Sequence, residues 1–310
     1  MNKISSLLVL LLLQCGLIAW LYSGSQSTSN TQKPEQALIK LDTSKINSIT
    51  IKDENNKTVL LKKTDSGWLL PDYHQLAVDQ GLLDQLFEKL ASIQTVWPIA
   101  RSEEAAERFH VSKTQFKRHV TFGSADNSTI ELFLGDSPGL RKIYARNAKN
   151  ADIYTVDLGL YLAPPEAERW FDKRLLKVRK DIDKIQGVDF VINKPGDTWS
   201  LEGMQENQTI EQARLESLVN ALVYPQVKSV VGTDMLNQLK GKKVETHYKV
   251  QAGDDEINYD FYRVNDDVIL KSSLSDLYFV IPIYVTENLL DVTRDKLIKK
   301  EKIKQEPEKS

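Results

Sequence analysis

The sequence predicts an α+β protein in which an N-terminal transmembrane helix precedes two similar repeats, each an antiparallel sheet with a helix packed on one face. Three observations support this prediction. Residues 4–22 carry no charged side chain, and four pairs of similar segments recur in the same order along the rest of the chain. Each repeat also combines strand-like alternation around polar turns with one helical apolar stripe.

Residues 4–22 are predicted to span the membrane as an uncleaved signal anchor. The 19 residues extend roughly 28 Å as a helix, close to the thickness of the hydrocarbon core. Lys3 precedes this segment, and no charge follows it before Lys33, so we expect residues 1–3 to form a cytoplasmic stub. The remaining chain then lies outside the cytoplasm, beginning with a flexible polar linker over 23–35. Cleavage just after the segment, near Ser23, is the alternative.

The residues after the linker are predicted to contain an internal duplication. The offset between matching segments shortens steadily along the chain, as expected if the second copy has shorter loops. The matching pairs are Asp42–Ile49 with Asp181–Val188, Asp65–Leu70 with Gly196–Leu201, 79–90 with 211–222, and Asp152–Val156 with Asp276–Val280. These pairs predict a first repeat over 36–178, a second repeat over 181–299 and a disordered tail over 300–310.

The elements of the first repeat follow from the spacing of its apolar residues. Alternation on both sides of the polar turn at 53–57 predicts a hairpin, and further strands are expected around 120–122, 130–134 and 153–156. A helix over 79–93 places its apolar residues on one face, namely Leu82, Leu83, Leu86, Phe87, Leu90 and Ile93. A second helix is predicted to begin at Pro164 and Pro165 and to connect the repeats through Leu176.

The second repeat shows the same order of elements. Thr209 and Gln212 form a capping-box pattern that predicts the start of its helix, with the stripe Leu215, Leu218, Val219 and Leu222. Strands are expected around 248–250, 257–261, 268–270 and 277–281. Trp68 and Trp199 occupy matching positions in the two repeats, so we expect both indole rings to pack inside the fold.

The sequence provides no basis for assigning catalytic, cofactor-binding or metal-binding residues. His74, His110, His119 and His247 are scattered, with no partner at metal-ligand or triad spacing. The acidic clusters at 254–256 and 266–267 fall between strand patterns, where acidic residues are usual in solvated turns. We therefore expect a protein that is not an enzyme and needs no cofactor.

Charge and cysteine content exclude further classes of protein. The 41 basic and 43 acidic side chains give a formal net charge of −2, which argues against nucleic acid as a partner. The single cysteine, Cys15, excludes a disulfide framework and a cysteine-based zinc site. A basic cluster is interpreted as a solvated helix end, with an acidic protein surface or lipid headgroups as the alternative partner. Its residues are Lys173, Arg174, Lys177, Arg179 and Lys180.

Several of these features together resemble one known family. They are the anchor, the turn at Trp68, the helix that follows it, the Glu107–Val111 segment (ERFHV), and the Leu134–Asp136 turn (LGD) before Tyr144. Over residues 36–299 the chain resembles the domain of unknown function 4340 family of bacterial envelope proteins. The resemblance implies a single-pass protein of the bacterial inner membrane with its C-terminal domain in the periplasm. Members are often encoded beside the ATPase and membrane subunits of gliding-motility-type ABC transport systems, and the family pattern contains no catalytic residues.

The sequence and the resemblance together favour a non-enzymatic accessory protein of an ABC-type transport system, which acts by protein contact. Its expected partners are the membrane and ATPase subunits of the transporter and, through residues 4–22, the lipid bilayer. One alternative is a receptor domain that binds a ligand in a cleft between the two repeats. Another is an envelope hydrolase whose site has no recognisable motif.

Overall fold

A computed structural model describes residues 13–18, 20, 36–95 and 97–300 of the chain. Residues 13–18 and Trp20 are helical and exposed. Among the described residues, no helix is both long enough and apolar enough to cross a bilayer. The rest of the predicted anchor over 4–22, the linker over 23–35 and the tail after residue 300 lie outside the described residues.

The first large sheet contains eight strands, and a separate antiparallel pair forms between β1 (Gln36–Ala37) and β6 (Gln94–Thr95). The eight strands are β2 (Ile46–Asp53), β3 (Thr58–Thr64), β4 (Gly67–Leu70), β5 (Leu76–Ala77), β7 (Arg118–Ser124), β8 (Thr129–Leu134), β9 (Ile143–Asn147) and β10 (Ile153–Val156). Their order across the sheet is β10-β9-β8-β7-β2-β3-β4-β5. Antiparallel hairpins join β3 to β4, β7 to β8, β8 to β9 and β9 to β10.

The second large sheet also contains eight strands, and a two-stranded sheet pairs β14 (Gln208–Ile210) with β20 (Ile298–Lys300). The eight strands are β11 (Lys184–Gln186), β12 (Val191–Asn193), β13 (Ser200–Leu201), β15 (Ser229–Val230), β16 (Thr246–Ala252), β17 (Asp255–Val264), β18 (Asp267–Ser272) and β19 (Tyr278–Ile281). Their order across the sheet is β13-β12-β11-β16-β17-β18-β19-β15. At its centre is the antiparallel β16–β17 pair, in which Tyr248 lies opposite Tyr259.

Four α-helices accompany the described strands. They are α1 (Gln80–Ser92), α2 (Glu103–Arg108), α3 (Gln212–Val223) and α4 (Thr233–Leu239). The predicted stripes of α1 and α3 are buried at Leu83, Leu86, Leu90, Leu215, Leu218 and Leu222. The hydroxyl of Tyr259 in β17 donates to the carbonyl of Leu222 at 3.1 Å, which holds α3 against the second sheet. Leu82, predicted on the apolar face of α1, is instead 39% exposed, because it lies at the edge of the stripe.

The part of the chain that the structure describes also contains five short 3-10 helices, and two of them replace the predicted connecting helix over 164–176. They are Leu160–Leu162, Ala167–Arg169, Lys173–Leu176, Ile283–Asn288 and Arg294–Leu297. The amide of Asp79 donates to the carbonyl of Trp170, and the amide of Asp172 donates to the carbonyl of Ala77. Phe171 forms an antiparallel bridge with Val78, and Asp172 has an extended backbone, so the prediction of a continuous helix from Pro164 was wrong.

The predicted capping box at the start of α3 was also wrong. Thr209 lies within β14 and pairs with Lys299 of β20. The residue that precedes the helix is Glu211, whose side chain makes no capping hydrogen bond. The amide of Glu211 instead donates to the carbonyl of Leu297, so the entry of the helix is fixed by a distant segment and not by a local cap.

The central strands have the alternating burial of a sheet with one core face. In β16, Thr246, Tyr248, Val250 and Ala252 are buried and the residues between them are half-buried. Val188 departs from the pattern of the predicted repeats, because it is 76% exposed whereas the matching Ile49 is fully buried. Val188 follows the end of β11 at Gln186, so its side chain is not held in the sheet.

The chain divides into two compact units. Of the described residues, the first unit contains those within 1–46, 51–56 and 85–163, and the second contains those within 47–50, 57–84 and 164–300. A core cluster in the first unit contains Ala105, Ala106, Val111, Phe133 and Ile153. A core cluster in the second unit contains Val231, Leu239, Val264, Ile269 and Val280.

Candidate functional site

The strongest candidate site lies in the first unit, where α2 ends at the Glu107–Val111 segment. Ser102 caps the start of α2 by accepting from the amide of Ala105 at 3.2 Å. At the other end, His110 adopts a left-handed backbone with φ 53°, and its amide donates to the carbonyl of Glu107. Residues in this conformation commonly end helices, because they turn the chain away from the helix axis. His110 is therefore presented at a fixed helix end.

The Leu134–Asp136 turn packs directly against this helix end. The amide of Asp136 donates to the carbonyl of Phe109 at 3.1 Å, and the rings of Phe109 and Tyr144 stack with centroids 4.2 Å apart. Gly135 permits this approach, because a Cβ atom there would lie 2.0 Å from the carbonyl oxygen of Phe109. The Glu107–Val111 and Leu134–Asp136 segments, which carry the family resemblance, thus pack directly against each other.

Four charged or titratable side chains meet at this junction. Nδ1 of His110 lies 2.5 Å from Oδ2 of Asp136, and Nζ of Lys117 lies 2.5 Å from Oε2 of Glu54. Nζ of Lys117 also lies 3.9 Å from Oδ1 of Asp136, which links the two pairs. The hydrogen bond to Glu54 raises the pKa of Lys117 above its usual value, so this lysine stays charged at neutral pH.

A polar cavity of about 420 Å³ opens beside His110. Two of its lysines, Lys52 and Lys113, lie within 4 Å of no carboxylate among the described residues. We call this cavity the His110 cavity. Its lining residues are Lys52, Glu54, Asn56, His110, Lys113, Thr114, Gln115 and Phe116.

A buried arginine, Arg146, holds the backbone at the end of the Glu107–Val111 segment. Arg146 is 5% exposed, and its Nε donates to the carbonyl of Val111 at 2.7 Å. Its guanidinium lies 5.2 Å from the ring centroid of Phe133 and 3.7 Å from Glu103. A buried guanidinium must be hydrogen-bonded to be stable, so Arg146 fixes the residue that follows His110.

The other histidines are held in different surroundings. His119 lies 2.8 Å from Glu131 and stacks on Phe133, and His247 lies 2.6 Å from Asp260 on the neighbouring strand. The ring of His74 makes an edge-to-face contact with the ring of Tyr73. Sequence spacing therefore missed three histidine–carboxylate pairs, because strand register and loop packing bring together residues that are 12–26 positions apart.

The acidic clusters are surface features, and they hold no group of metal ligands among the described residues. Asp255 pairs with Lys180 at 2.9 Å and Glu256 pairs with Lys249 at 3.0 Å. Both clusters lie at or next to the ends of strands β17 and β18. The prediction that residues 254–256 and 266–267 lie in turns between strands agrees with these positions.

The basic cluster at 173–180 is not the end of an α-helix. Lys173 is half-buried beside the ring of Phe171, and its Nζ donates to the carbonyls of Glu168 and Lys228, both at 2.7 Å. Burial lowers the pKa of Lys173 to about 8. Arg174 is engaged by Asp172 through two hydrogen bonds, of 2.8 and 2.9 Å. Much of this charge is thus compensated within the second unit.

The two tryptophans differ in burial. Trp68 is buried as predicted, whereas Trp199 is only half-buried. Nζ of Lys194 lies 5.9 Å from the ring centroid of Trp199, near the limit of a cation–π contact. The prediction that both indole rings pack inside the fold is therefore right for Trp68 and wrong for Trp199, whose ring is partly covered by a lysine.

A second concave surface lies in the second unit, between α3 and the 3-10 helix at Ile283–Asn288. Its volume is about 460 Å³. The 3-10 helix on one side of it also carries two exposed apolar side chains, Ile283 at 65% and Tyr284 at 69%. The hydroxyl of Tyr284 donates to Oε1 of Gln226 at 2.7 Å. We call this surface the α3 groove. It is lined by Ser217, Asn220, Ala221, Val223, Tyr224, Gln226, Val285, Asn288 and Leu289.

The fold defines a mixed α/β protein built on two eight-stranded sheets. Comparison with family models places residues 68–252 in the domain of unknown function family DUF4340, and the chain belongs to that family. The comparisons with curated proteins and with solved structures found no match. The match includes both segments that meet at His110, at Glu107–Val111 and Leu134–Asp136.

Proposed function

We propose that this chain is a membrane-anchored, extracytoplasmic accessory protein of an ABC-type transport system, which acts by protein contact and performs no catalysis itself. Membership of the DUF4340 family supports the proposal, because proteins of this pattern are often encoded beside transporter subunits. The observation that carries it is the α3 groove together with Ile283 and Tyr284, which are exposed on the 3-10 helix that supplies Val285 and Asn288 to the groove. Exposed apolar side chains near a concave surface are typical of protein interaction sites.

The chemistry of the α3 groove fits a protein segment as its partner. Its lining is mainly uncharged, with the aliphatic residues Val223, Val285 and Leu289 beside the polar groups of Ser217 and Asn220. Interfaces combine an apolar centre with a few hydrogen-bonding groups in this way. Tyr284 adds an aromatic ring whose hydroxyl is already satisfied by Gln226, so the ring can be covered without leaving an unpaired polar group.

Anchoring in the bacterial inner membrane, with the C-terminal domain in the periplasm, is part of the proposal. The described part of the N-terminal segment supports it, because its helical residues Leu13, Leu17, Ile18 and Trp20 are all exposed apolar side chains. These residues carry no charge, and exposed side chains that are mostly apolar, with Gln14 as the polar exception, are more stable in lipid than in water. Confinement to the membrane also raises the effective concentration of neighbouring proteins, so a weak interface can be occupied.

The partner surface can be tested by photocrosslinking in native membranes. A photoreactive amino acid replaces Ile283 or Tyr284 in the full chain, and Val188, which is 76% exposed in the same unit, provides the matched control position. We expect adducts with a transporter subunit from the first two positions and not from Val188. Equal adducts from all three positions, or none from any, would contradict contact at the α3 groove.

Topology can be tested with one introduced cysteine. In a Cys15→Ser background, Ser66→Cys places a thiol in the exposed turn between β3 and β4. A membrane-impermeant maleimide should label it in cells whose outer membrane alone is permeabilised. Labelling that requires lysis of the inner membrane, or a soluble mature protein that begins near Ser23, would refute the proposed topology.

We further propose that the two repeats arose by duplication. The burial of Leu86 and Leu218 at matching positions supports this. A further similarity is that DKRLLK at 172–177 and DKLIK at 295–299 resemble each other in sequence, and each contains a 3-10 turn. An experimental structure provides the test. The proposal fails if superposing β2–β3–α1 on β11–β12–α3 does not bring Leu86 onto Leu218.

A further inference from the structure

We infer that the His110 cavity binds a small oxyanion, meaning a phosphate or carboxylate group, independently of the proposed contact function. The cavity lies wholly within the first unit, on the loop after α2 and the neighbouring end of β2. Its lining includes a fixed imidazole, two lysines, a hydroxyl and two side-chain amides. These are the groups that bind oxyanions in proteins.

The imidazole of His110 is oriented for a ligand. Asp136 holds Nδ1, so the ring cannot rotate freely, and Nε2 has no hydrogen-bond partner among the described residues. With Nδ1 donating to Asp136, the neutral ring has an acceptor at Nε2, and protonation turns Nε2 into a donor. An oxyanion at Nε2 would satisfy the donor form and would itself be stabilised by the positive ring.

The charges around the cavity favour an anion. Glu54 is neutralised by Lys117 at 2.5 Å, so that carboxylate does not repel an anion strongly. Asp136 is shared between His110 and Lys117. The ammonium groups of Lys52 and Lys113 have no carboxylate within 4 Å in the part of the chain that the structure describes, so an excess of positive charge remains at the cavity.

The polar neighbours can complete the binding of an oxyanion. Oγ1 of Thr114 lies 3.2 Å from Oγ of Ser112, an arrangement in which either hydroxyl can donate to the other or outward. The side-chain amide of Gln115 has no partner among the described residues and also lines the cavity. An oxyanion accepts several hydrogen bonds at once, so these donors add to the attraction of the lysines.

The backbone supports a role for the histidine side chain. At φ 53°, His110 holds a left-handed conformation that glycine adopts without the steric cost of a Cβ atom. Residues held in such conformations by the surrounding structure cluster at ligand sites. Here the conformation directs an imidazole between Asp136 and the cavity, which a glycine cannot supply.

The test follows the histidine signals of the full chain in nanodiscs by NMR. The chain has four histidines, so labelling the Cε1 carbons yields four signals, and His110→Gln identifies the one from His110. Titration with inorganic phosphate should shift the His110 signal in a saturable manner. His119 and His247 are matched internal controls, because each also pairs with a carboxylate but neither lines the cavity.

A salt control adds a readout that distinguishes a phosphate site from a general effect of ionic strength. Sodium chloride at the same ionic strength as the phosphate titrant should leave the His110 signal unshifted. A saturable shift of equal size in all four histidine signals would overturn the inference.

The lysines are tested by a charge-matched pair of variants. Lys52→Gln with Lys113→Gln should weaken phosphate binding by about tenfold or more, because both ammonium groups are lost. Lys142→Gln with Lys149→Gln removes the same charge from exposed positions of the same unit outside the cavity, and should leave the affinity unchanged. Equal affinities of the two double variants would refute the assignment.

The source of the oxyanion is distinguished by the lipid composition. A His110 shift in nanodiscs of phosphatidylglycerol without added phosphate would identify a lipid headgroup as the ligand. A shift that needs added phosphate, or that acetate produces more strongly, would identify a solute and its class. No shift in any of these conditions would overturn the inference. Crosslinking from position 284 should persist in the His110→Gln variant, because oxyanion binding and the proposed protein contact are independent. A failure of one proposal can therefore be distinguished from a failure of the other.

Discussion

Replacement of Gly135 by alanine should disrupt the junction between α2 and the Leu134–Asp136 turn. The new Cβ atom would lie 2.0 Å from the carbonyl oxygen of Phe109 and 2.8 Å from that of His110. Both obstacles are backbone atoms, so no side-chain rotation can relieve the clash. The two segments must separate by at least about 1 Å, because a Cβ atom essentially never approaches another heavy atom within 3.0 Å.

The expected cost of Gly135→Ala can be worked out from these distances. Overpacking of a tight site costs typically about 1–3 kcal/mol, and a rigid backbone obstacle belongs at the upper end. Separation also weakens the hydrogen bond from the amide of Asp136 to the carbonyl of Phe109, worth about 1 kcal/mol. We therefore expect a loss of about 3–4 kcal/mol, which corresponds to a fall in melting temperature of roughly 5–10 °C.

The assay is thermal unfolding of the full chain in detergent, followed by near-ultraviolet circular dichroism. Gly139→Ala is the matched control, because a Cβ atom there meets nothing within 4 Å. Its effect should stay within about 1 kcal/mol. If Gly135→Ala and Gly139→Ala melt within one degree of each other, the close approach of the two segments does not stabilise the fold and the reasoning is refuted.

Three further predictions concern burial and charge. Leu86→Ala and Leu218→Ala should each lower the free energy of unfolding in urea by about 2–5 kcal/mol, because both side chains are buried. Leu82→Ala, at the exposed edge of α1, should cost less than about 1 kcal/mol. Similar costs for all three variants would contradict this difference in burial. Because burial lowers the pKa of Lys173 from 10.5 to about 8, the unfolded chain binds more protons between these values, so the free energy of unfolding should rise as the pH increases through this window. Lys173→Met should abolish that part of the rise, and an identical pH profile in the variant would contradict the assignment. Arg146→Met should cost about 1–3 kcal/mol in urea unfolding, because the carbonyl of Val111 loses its donor; an unchanged denaturation midpoint would argue against this role.

The periodic elements of the fold were predictable because their apolar spacing reflects burial directly. The predicted strand at 153–156 agrees with β10, and the stripe at Leu215, Leu218 and Leu222 is buried as expected. The helix predicted over 79–93 is present as α1 at Gln80–Ser92. In each case the spacing of the side chains along the chain is sufficient to define the element.

Elements that depend on distant backbone partners were not predictable in this way. The segment at 170–172 has apolar residues at helical spacing, yet its backbone pairs with residues 77–79. Thr209 has the sequence of a helix cap, yet it belongs to a strand that pairs with Lys299. In both places hydrogen bonds to a remote segment outweigh a local preference that is worth about 1 kcal/mol.

The His110 cavity could not be predicted for the same reason, because it is built from residues that are distant in the sequence. The sequence places His110 and Asp136 in two segments that resemble the family pattern, but it does not show that they meet, because Asp136 is 26 residues from His110 and Glu54 is 63 residues from Lys117. One local signal was present. A glycine directly before Asp136 indicates a close backbone approach, and the structure shows that the approaching atoms are the carbonyls of Phe109 and His110.

The pairing of β14 with β20 has a consequence for the order of folding during synthesis. Thr209 and Lys299 are separated by 90 residues, and closing a loop of that length costs about 4 kcal/mol of chain entropy. The entry of α3 depends on this pairing through the bond from Glu211 to Leu297. The last strand therefore has to emerge before the second unit can be completed, so a chain that is stalled or truncated before residue 297 would expose the start of α3 to proteases and to aggregation.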